Sequence, residues 1–128
     1  MEFISEPLEK KQHVLIVDKE STQLTQILQS ELKKYSSEVY VTPKIPLTID
    51  RFDYVFFINE KSASNKIGNR PKQKIIFIFL NRRSMAHSTA KIIGKQNLNA
   101  KVIHFLSDKV DAEDLEKILW FSFSESDE

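Results

Sequence analysis

The side chains able to do chemistry in this sequence fall into two groups of opposite sign. Asp18, Glu20 and Asp53 are acids set beside apolar runs that read as strands. Gathered at the carboxyl ends of parallel strands, where open α/β sheets hold ligands, they would form an acidic cluster able to take a hard cation such as magnesium. Helix capping and plain solvation are the alternative roles. The second group is basic. Lys61, Lys66, Arg70 and Lys72 lie in a polar stretch, and Arg82 and Arg83 open a helix. Helix N-termini favour anions, so these six residues form a candidate anion-binding edge for a phosphate-containing ligand or a nucleic-acid backbone. Binding there would be electrostatic and salt-dependent. Aromatics do not interleave with the bases, so base stacking is not implied.

Other catalytic constellations are incomplete, and no catalytic residue or metal ligand is assigned. His13, His87 and His104 fall on separate elements, without a zinc-ligand spacing. Ser84 and His87 lie one helical turn apart, but no acid nearby in sequence orients the histidine. Tyr40 and Lys44 match a Tyr-x-x-x-Lys spacing, yet Pro43 interrupts it and the pair follows a strand. The chain has no cysteine, which removes disulfides, thiolate metal sites and cysteine nucleophiles. Its two glycines, Gly68 and Gly94, leave no phosphate-cradling loop after the first strand.

The formal net charge of +1 conceals a segregation. Residues 1–60 carry net −3, residues 61–101 carry net +10 with no acid at all, and residues 102–128 carry net −6. A block of one sign marks an interaction face. Alternatively the basic block and the acidic C-terminus meet and neutralise each other, or stay solvated.

The elements that must position these groups are legible in the hydrophobic pattern. Residues 13–17, 53–59 and 74–80 are continuous apolar runs, the mark of strands buried on both faces. Residues 38–42 and 101–106 add two more strands. Leu24, Ile27, Leu28, Leu32 and Tyr35 keep the 3.6 period of a helix, with Asp18, Ser21 or Thr22 as its cap. A second helix covers residues 84–95, with Gly94 as a terminal cap. A third follows Asp108 or Asp111 and carries Val110, Leu115, Ile118 and Leu119 inward. Strand, helix, strand, strand, strand, helix, strand, helix specifies an α/β class: a Rossmann-like or flavodoxin-like three-layer domain with a mostly parallel five-stranded sheet and about three helices. Residues 1–12 form a polar leader, 13–123 the single domain and 124–128 an acidic tail. The acidic start is not a signal peptide, and the longest apolar run, Ile75 to Leu80, is far short of the ~20 residues of a membrane span. A cytoplasmic protein without membrane contact is expected.

Two strand-to-strand connections, residues 43–52 and 60–73, show no crossover helix, although the strands they serve are apolar on both faces. Either a loop covers the second face or another chain does. Trp120, Phe121 and Phe123 fall off the last helix's stripe and form a candidate interface. A homodimer or another protein partner is therefore expected; packing of the aromatics under the leader is the alternative.

Two families are resembled. VLIVDKESTQLTQILQSELKKY resembles the start of a response-regulator receiver. That likeness implies magnesium-binding acids after strand one and a phosphoacceptor Asp after strand three. Asp18 and Glu20 match part of the acidic cluster, Lys19 replaces one acid, and Ile58 or Asn59 stands where the acceptor would be. The implication is a phosphorylation-independent pseudo-receiver. DYVFFINEKSA, KIIFIFLN, AKVIHF and KVDAEDLEKIL are similar to segments of NAD-dependent nucleotide-sugar epimerases, of the extended short-chain dehydrogenase class. That likeness implies a NAD or nucleotide-sugar site. The turn Val17-Asp18-Lys19-Glu20-Ser21-Thr22 has none of that family's glycines, and its two acids repel phosphate. His87 to Lys91 keeps the catalytic spacing with His in place of Tyr. A degenerate, pseudoenzyme-like relative without cofactor is the expectation. The first expectation for the whole chain is a non-catalytic binding or interaction module that self-associates.

Overall fold

A computed structural model of the chain describes residues 13–34, 38–46, 49, 51–60, 73–96 and 100–123. Five strands, β1 (His13–Asp18), β2 (Glu38–Thr42), β3 (Tyr54–Ile58), β4 (Lys74–Leu80) and β5 (Ala100–Phe105), make one sheet. Its order is β2-β1-β3-β4-β5, and every neighbouring pair is parallel. Three helices, α1 (Gln23–Leu32), α2 (Arg83–Gln96) and α3 (Ala112–Phe123), complete the fold. This is the three-layer α/β arrangement that the sequence pattern specifies, in flavodoxin-like order.

The two layers of helix follow from chain direction. Crossovers between parallel strands are right-handed. The step from β1 to β2 runs one way along the sheet and the step from β4 to β5 runs the other way. Their helices must then lie on opposite faces. Strand alternation supplies apolar residues to both. Val14, Ile16, Tyr54, Phe56, Ile58, Ile76, Ile78 and Leu80 pack with α1 and α3. Leu15, Val17, Val55, Phe57, Ile75, Phe77 and Phe79 pack with α2 through Ala86 and Ile93. Phe57 stacks on its register partner Phe77 at 5.1 Å, and Phe77 on Phe79 at 6.4 Å.

The second face needs no other chain to cover it. Its residues on β1, β3 and β4 are all buried, with Phe52, Ile45 and Ile49 adding to the single helix. The two short connections therefore supply no case for a partner. Gly94 is also not a cap: α2 runs through it to Gln96, and a Cβ added there would meet nothing within 4 Å.

Candidate functional site

The direction of chain progression reverses between β1 and β3, which opens the crevice where such sheets bind ligands. Asp18 ends β1 at this point and is 2% exposed. One carboxylate oxygen accepts the Glu20 N–H at 3.0 Å. The other accepts the Thr22 N–H at 2.7 Å, the Thr22 hydroxyl at 2.9 Å and the Thr25 hydroxyl. Thr22 is the N-cap of α1 by position, but its side chain makes no capping bond. Asp18, four residues upstream, instead holds Thr22 itself in place through its N–H and hydroxyl. Its negative charge is held by donors on the first turn of α1, which favours an anion.

Two residues end their strands by one device. Asn59 follows β3 and Asn81 follows β4, both with left-handed backbone, at φ 54° and 55°. Their N–H groups carry the ladder one step further, to the carbonyl oxygens of Ile78 at 2.8 Å and Phe105 at 2.7 Å. Asparagine tolerates this region better than other side-chain-bearing residues. In a chain with so few glycines it does a glycine's work. Ser21, in the loop after β1, is the third left-handed residue.

Asn59 also links the loops. Its side-chain carbonyl accepts the buried Leu80 N–H at 2.7 Å, and its amide group donates to Glu20 at 3.1 Å. Arg82 donates to both oxygens of the same Glu20, at 2.9 and 2.8 Å. Glu20 thus joins the loops after β1, β3 and β4 across the mouth of the crevice. Asp18 and Glu20 do end on the same side of the sheet, as the sequence suggests, but each is engaged by the protein itself.

Asp53 does not join them. It precedes β3 and so lies at the opposite, amino-terminal edge of the sheet. There it accepts the His13 N–H at 2.8 Å and returns its own N–H to the His13 carbonyl at 2.8 Å. The strand between sets it about 17 Å from the carboxyl edge. The three-acid cluster is therefore not formed, and among the described residues no three His, Cys, Asp or Glu side chains come together.

Of the six bases in the expected anion-binding edge, Lys61, Lys66, Arg70 and Lys72 lie outside the described residues. Arg82 is neutralised by Glu20. Arg83 is exposed on the first turn of α2. The bases of α2 and the acids of α3 lie on opposite faces of the sheet, and no ion pair joins them among the described residues. Tyr40 and Lys44 form no catalytic pair. Tyr40 packs on Phe52 at 5.7 Å, with the Arg51 guanidinium 4.8 Å from its ring. Ser84 and His87 are exposed on α2.

The second notable region is the far edge of the sheet. β5 from Val102 to Phe105, together with Lys117, Trp120 and Phe121 of α3, lines an open apolar groove of about 480 Å³. Trp120 is 53% exposed, Phe121 40% and Leu106 82%. Lys101 crosses from β5 to α3, where its ammonium donates to the Phe121 carbonyl and sits 5.1 Å from the Phe121 ring. A cation suits a helix C-terminus. At the other end of α3, Asp111 accepts the Asp114 N–H at 2.9 Å and Asp114 accepts the Asp111 N–H at 3.3 Å, a reciprocal cap. The Asp114 N–H holds the Asp111 carboxyl below its ordinary value.

Phe123 is not part of this exposed surface. It is buried, with its ring 4.6 Å from Tyr54 and 6.3 Å from Phe56. It extends the inward stripe of Leu115, Ile118, Leu119 and Ser122, and that helical phase was available in the sequence. The contribution of β5 to the groove was not, because it depends on β5 being an edge strand. Among the described residues no helix is long and apolar enough to cross a membrane. Comparison with family models, with curated proteins and with solved structures finds no match for the chain.

Proposed function

We propose that the chain is a non-catalytic α/β interaction module that binds protein, a second copy of itself included, through the β5–α3 edge. The observation that carries this reading is the contrast between the crevice and the groove. At the crevice Asp18, Glu20, Asn59 and Arg82 bond one another or the backbone. At the groove, apolar side chains face water, and exposed apolar patches of this kind mark association sites. A basic anion-binding edge remains a secondary part of the reading, with Arg83 its exposed described member.

Two facts weigh against a NAD or nucleotide-sugar site. The turn after β1 carries Asp18 and Glu20, which repel a pyrophosphate, and it has no glycine to let one approach the backbone. Titration calorimetry with NAD, a nucleotide sugar and a nucleoside triphosphate tests this. No saturable heat is expected, and binding of any of them at the crevice overturns the non-catalytic reading in favour of a cofactor domain.

The pseudo-receiver is the second reading; the sheet order β2-β1-β3-β4-β5 supports it, and the end of β3 makes it phosphorylation-independent. Asp18 pairs in register with Ile58, which is buried in the core. Asn59 spends its side chain on Leu80 and Glu20. Neither offers a carboxylate to phosphorylate. The expected result with a small-molecule phosphodonor and magnesium is no gain in mass.

A further inference from the structure

On the reading just given, and with a second copy of this chain as the partner, the charges of the two helices that flank the edge select one way of docking. β5 is the edge strand of the sheet, with α2 packed on one face and α3 on the other. The two helices carry opposite charge. α2 holds Arg83, Lys91 and Lys95 and no acid. Residues 108–117 carry Asp108, Asp111, Glu113, Asp114 and Glu116 against Lys109 and Lys117, net −3. Arg83, Lys91, Lys95, Glu113 and Glu116 are all exposed.

Two copies can meet at this edge about either of two dyads. A dyad perpendicular to the sheet continues it by antiparallel β5–β5 pairing. That arrangement keeps each face on its own side, so α2 meets α2 and α3 meets α3. Basic helix then opposes basic helix and acidic opposes acidic, which is costly across an interface. A dyad parallel to β5 turns one copy over. The α2 of each copy then lies beside the α3 of the other, both helix contacts are between opposite charges, and the exposed Trp120 and Phe121 of each copy face the other across the axis.

We infer that the chain forms a twofold dimer about a dyad parallel to β5, with the basic α2 of each copy against the acidic α3 of the other and Trp120 and Phe121 between them. Each copy's Trp120 and Phe121 are covered by the other copy, flanked by the opposed helix charges. The dimer's stability falls with salt because the helix charges are exposed.

The test is sedimentation equilibrium of the full chain with two reversal variants. Lys91→Glu with Lys95→Glu makes both helices acidic; Glu113→Lys with Glu116→Lys makes both basic. Each variant alone is expected to dimerise at least about tenfold more weakly than the parent at low salt. The four substitutions together in one chain restore dimerisation, and an equimolar mixture of the two reversal variants forms the heterodimer. Circular dichroism of each variant confirms that it is folded. A dimer indifferent to both reversals but lost in Trp120→Ser overturns this docking geometry and leaves the interaction reading standing. A parent chain that stays monomeric at its highest soluble concentration overturns the dimer itself.

Discussion

The crevice at the β1–β3 reversal and the groove at the β5 edge are built from opposite materials. The crevice is polar and closed. Its donors and acceptors are matched to one another, from the buried Asp18 carboxylate to the bonds between Glu20, Asn59 and Arg82. The groove is apolar and open, and its largest side chains, Trp120 and Phe121, are about half exposed. A matched polar network contributes by avoiding orphaned groups, each of which costs ~1–3 kcal/mol when buried. An exposed apolar patch contributes almost nothing to the fold and gains only when something covers it. The topological position of a crevice therefore does not by itself make it a binding site: here Asp18, Glu20, Asn59 and Arg82 fasten loops, and the function proposed above assigns binding to the edge.

The largest expected effect breaks the polar side of this contrast. Asp18→Ala leaves the N–H groups of Glu20 and Thr22 and the hydroxyls of Thr22 and Thr25 without their acceptor. A loss of about 3 kcal/mol is expected, within the range for breaking a buried network. Asp18→Asn recovers only part of it, because one of its two terminal atoms turns from acceptor to donor. Urea unfolding measures both variants, through a lower midpoint at unchanged slope. A loss within about 0.5 kcal/mol, the size of an ordinary surface substitution, would show that Asp18 is merely solvated charge.

A smaller effect separates the exposed part of the network from its buried part. Glu20 and Arg82 keep 44% and 35% of their side-chain surface in contact with solvent. A double-mutant cycle with Glu20→Gln and Arg82→Gln should give a coupling of only about 0.2–1 kcal/mol. It should shrink as salt rises, since exposed charges are screened. A larger or salt-independent coupling would mean that the pair fixes the loop conformation, the left-handed Ser21 included, and does more than add an ion pair.

How far sequence carries a reader differs between the two regions for physical reasons. β3 and β4 are legible because a strand covered on both faces must be apolar throughout, and YVFFI and KIIFIFL are. Asp18 is legible as a strand end just before a helix start because both features are local. The bond from Glu20 to Arg82 spans 62 positions and follows only from the order of strands. The placement of Asp53 fails for a simpler reason: in a parallel sheet the residue before a strand and the residue after it lie at opposite edges. Asn59 and Asn81 carry a usable signal, an asparagine directly after a buried strand in a chain short of glycine. At the other end of the molecule, the charge blocks are visible in sequence, but their assignment to opposite faces is not.

The smallest effect on stability belongs to the groove, and its smallness is the point. Trp120→Ser removes a large ring that is already half in water, so little of its transfer free energy has been gained by folding. Its helix neighbours Leu119 and Phe123 are buried and hold α3 to the sheet without it. The midpoint of unfolding should stay within the shift expected of about ±0.5 kcal/mol, measured where the chain is dilute enough to be monomeric. Repeating the measurement at high protein concentration separates the two roles of the residue. A dimer stabilises the native state by mass action, so the parent's midpoint should rise with concentration and that of Trp120→Ser should not. If both rise alike, Trp120 is outside the contact. If Trp120→Ser is destabilised even when dilute, the ring is part of the monomer's own packing, and the division between a closed polar crevice and an open apolar edge loses its second half.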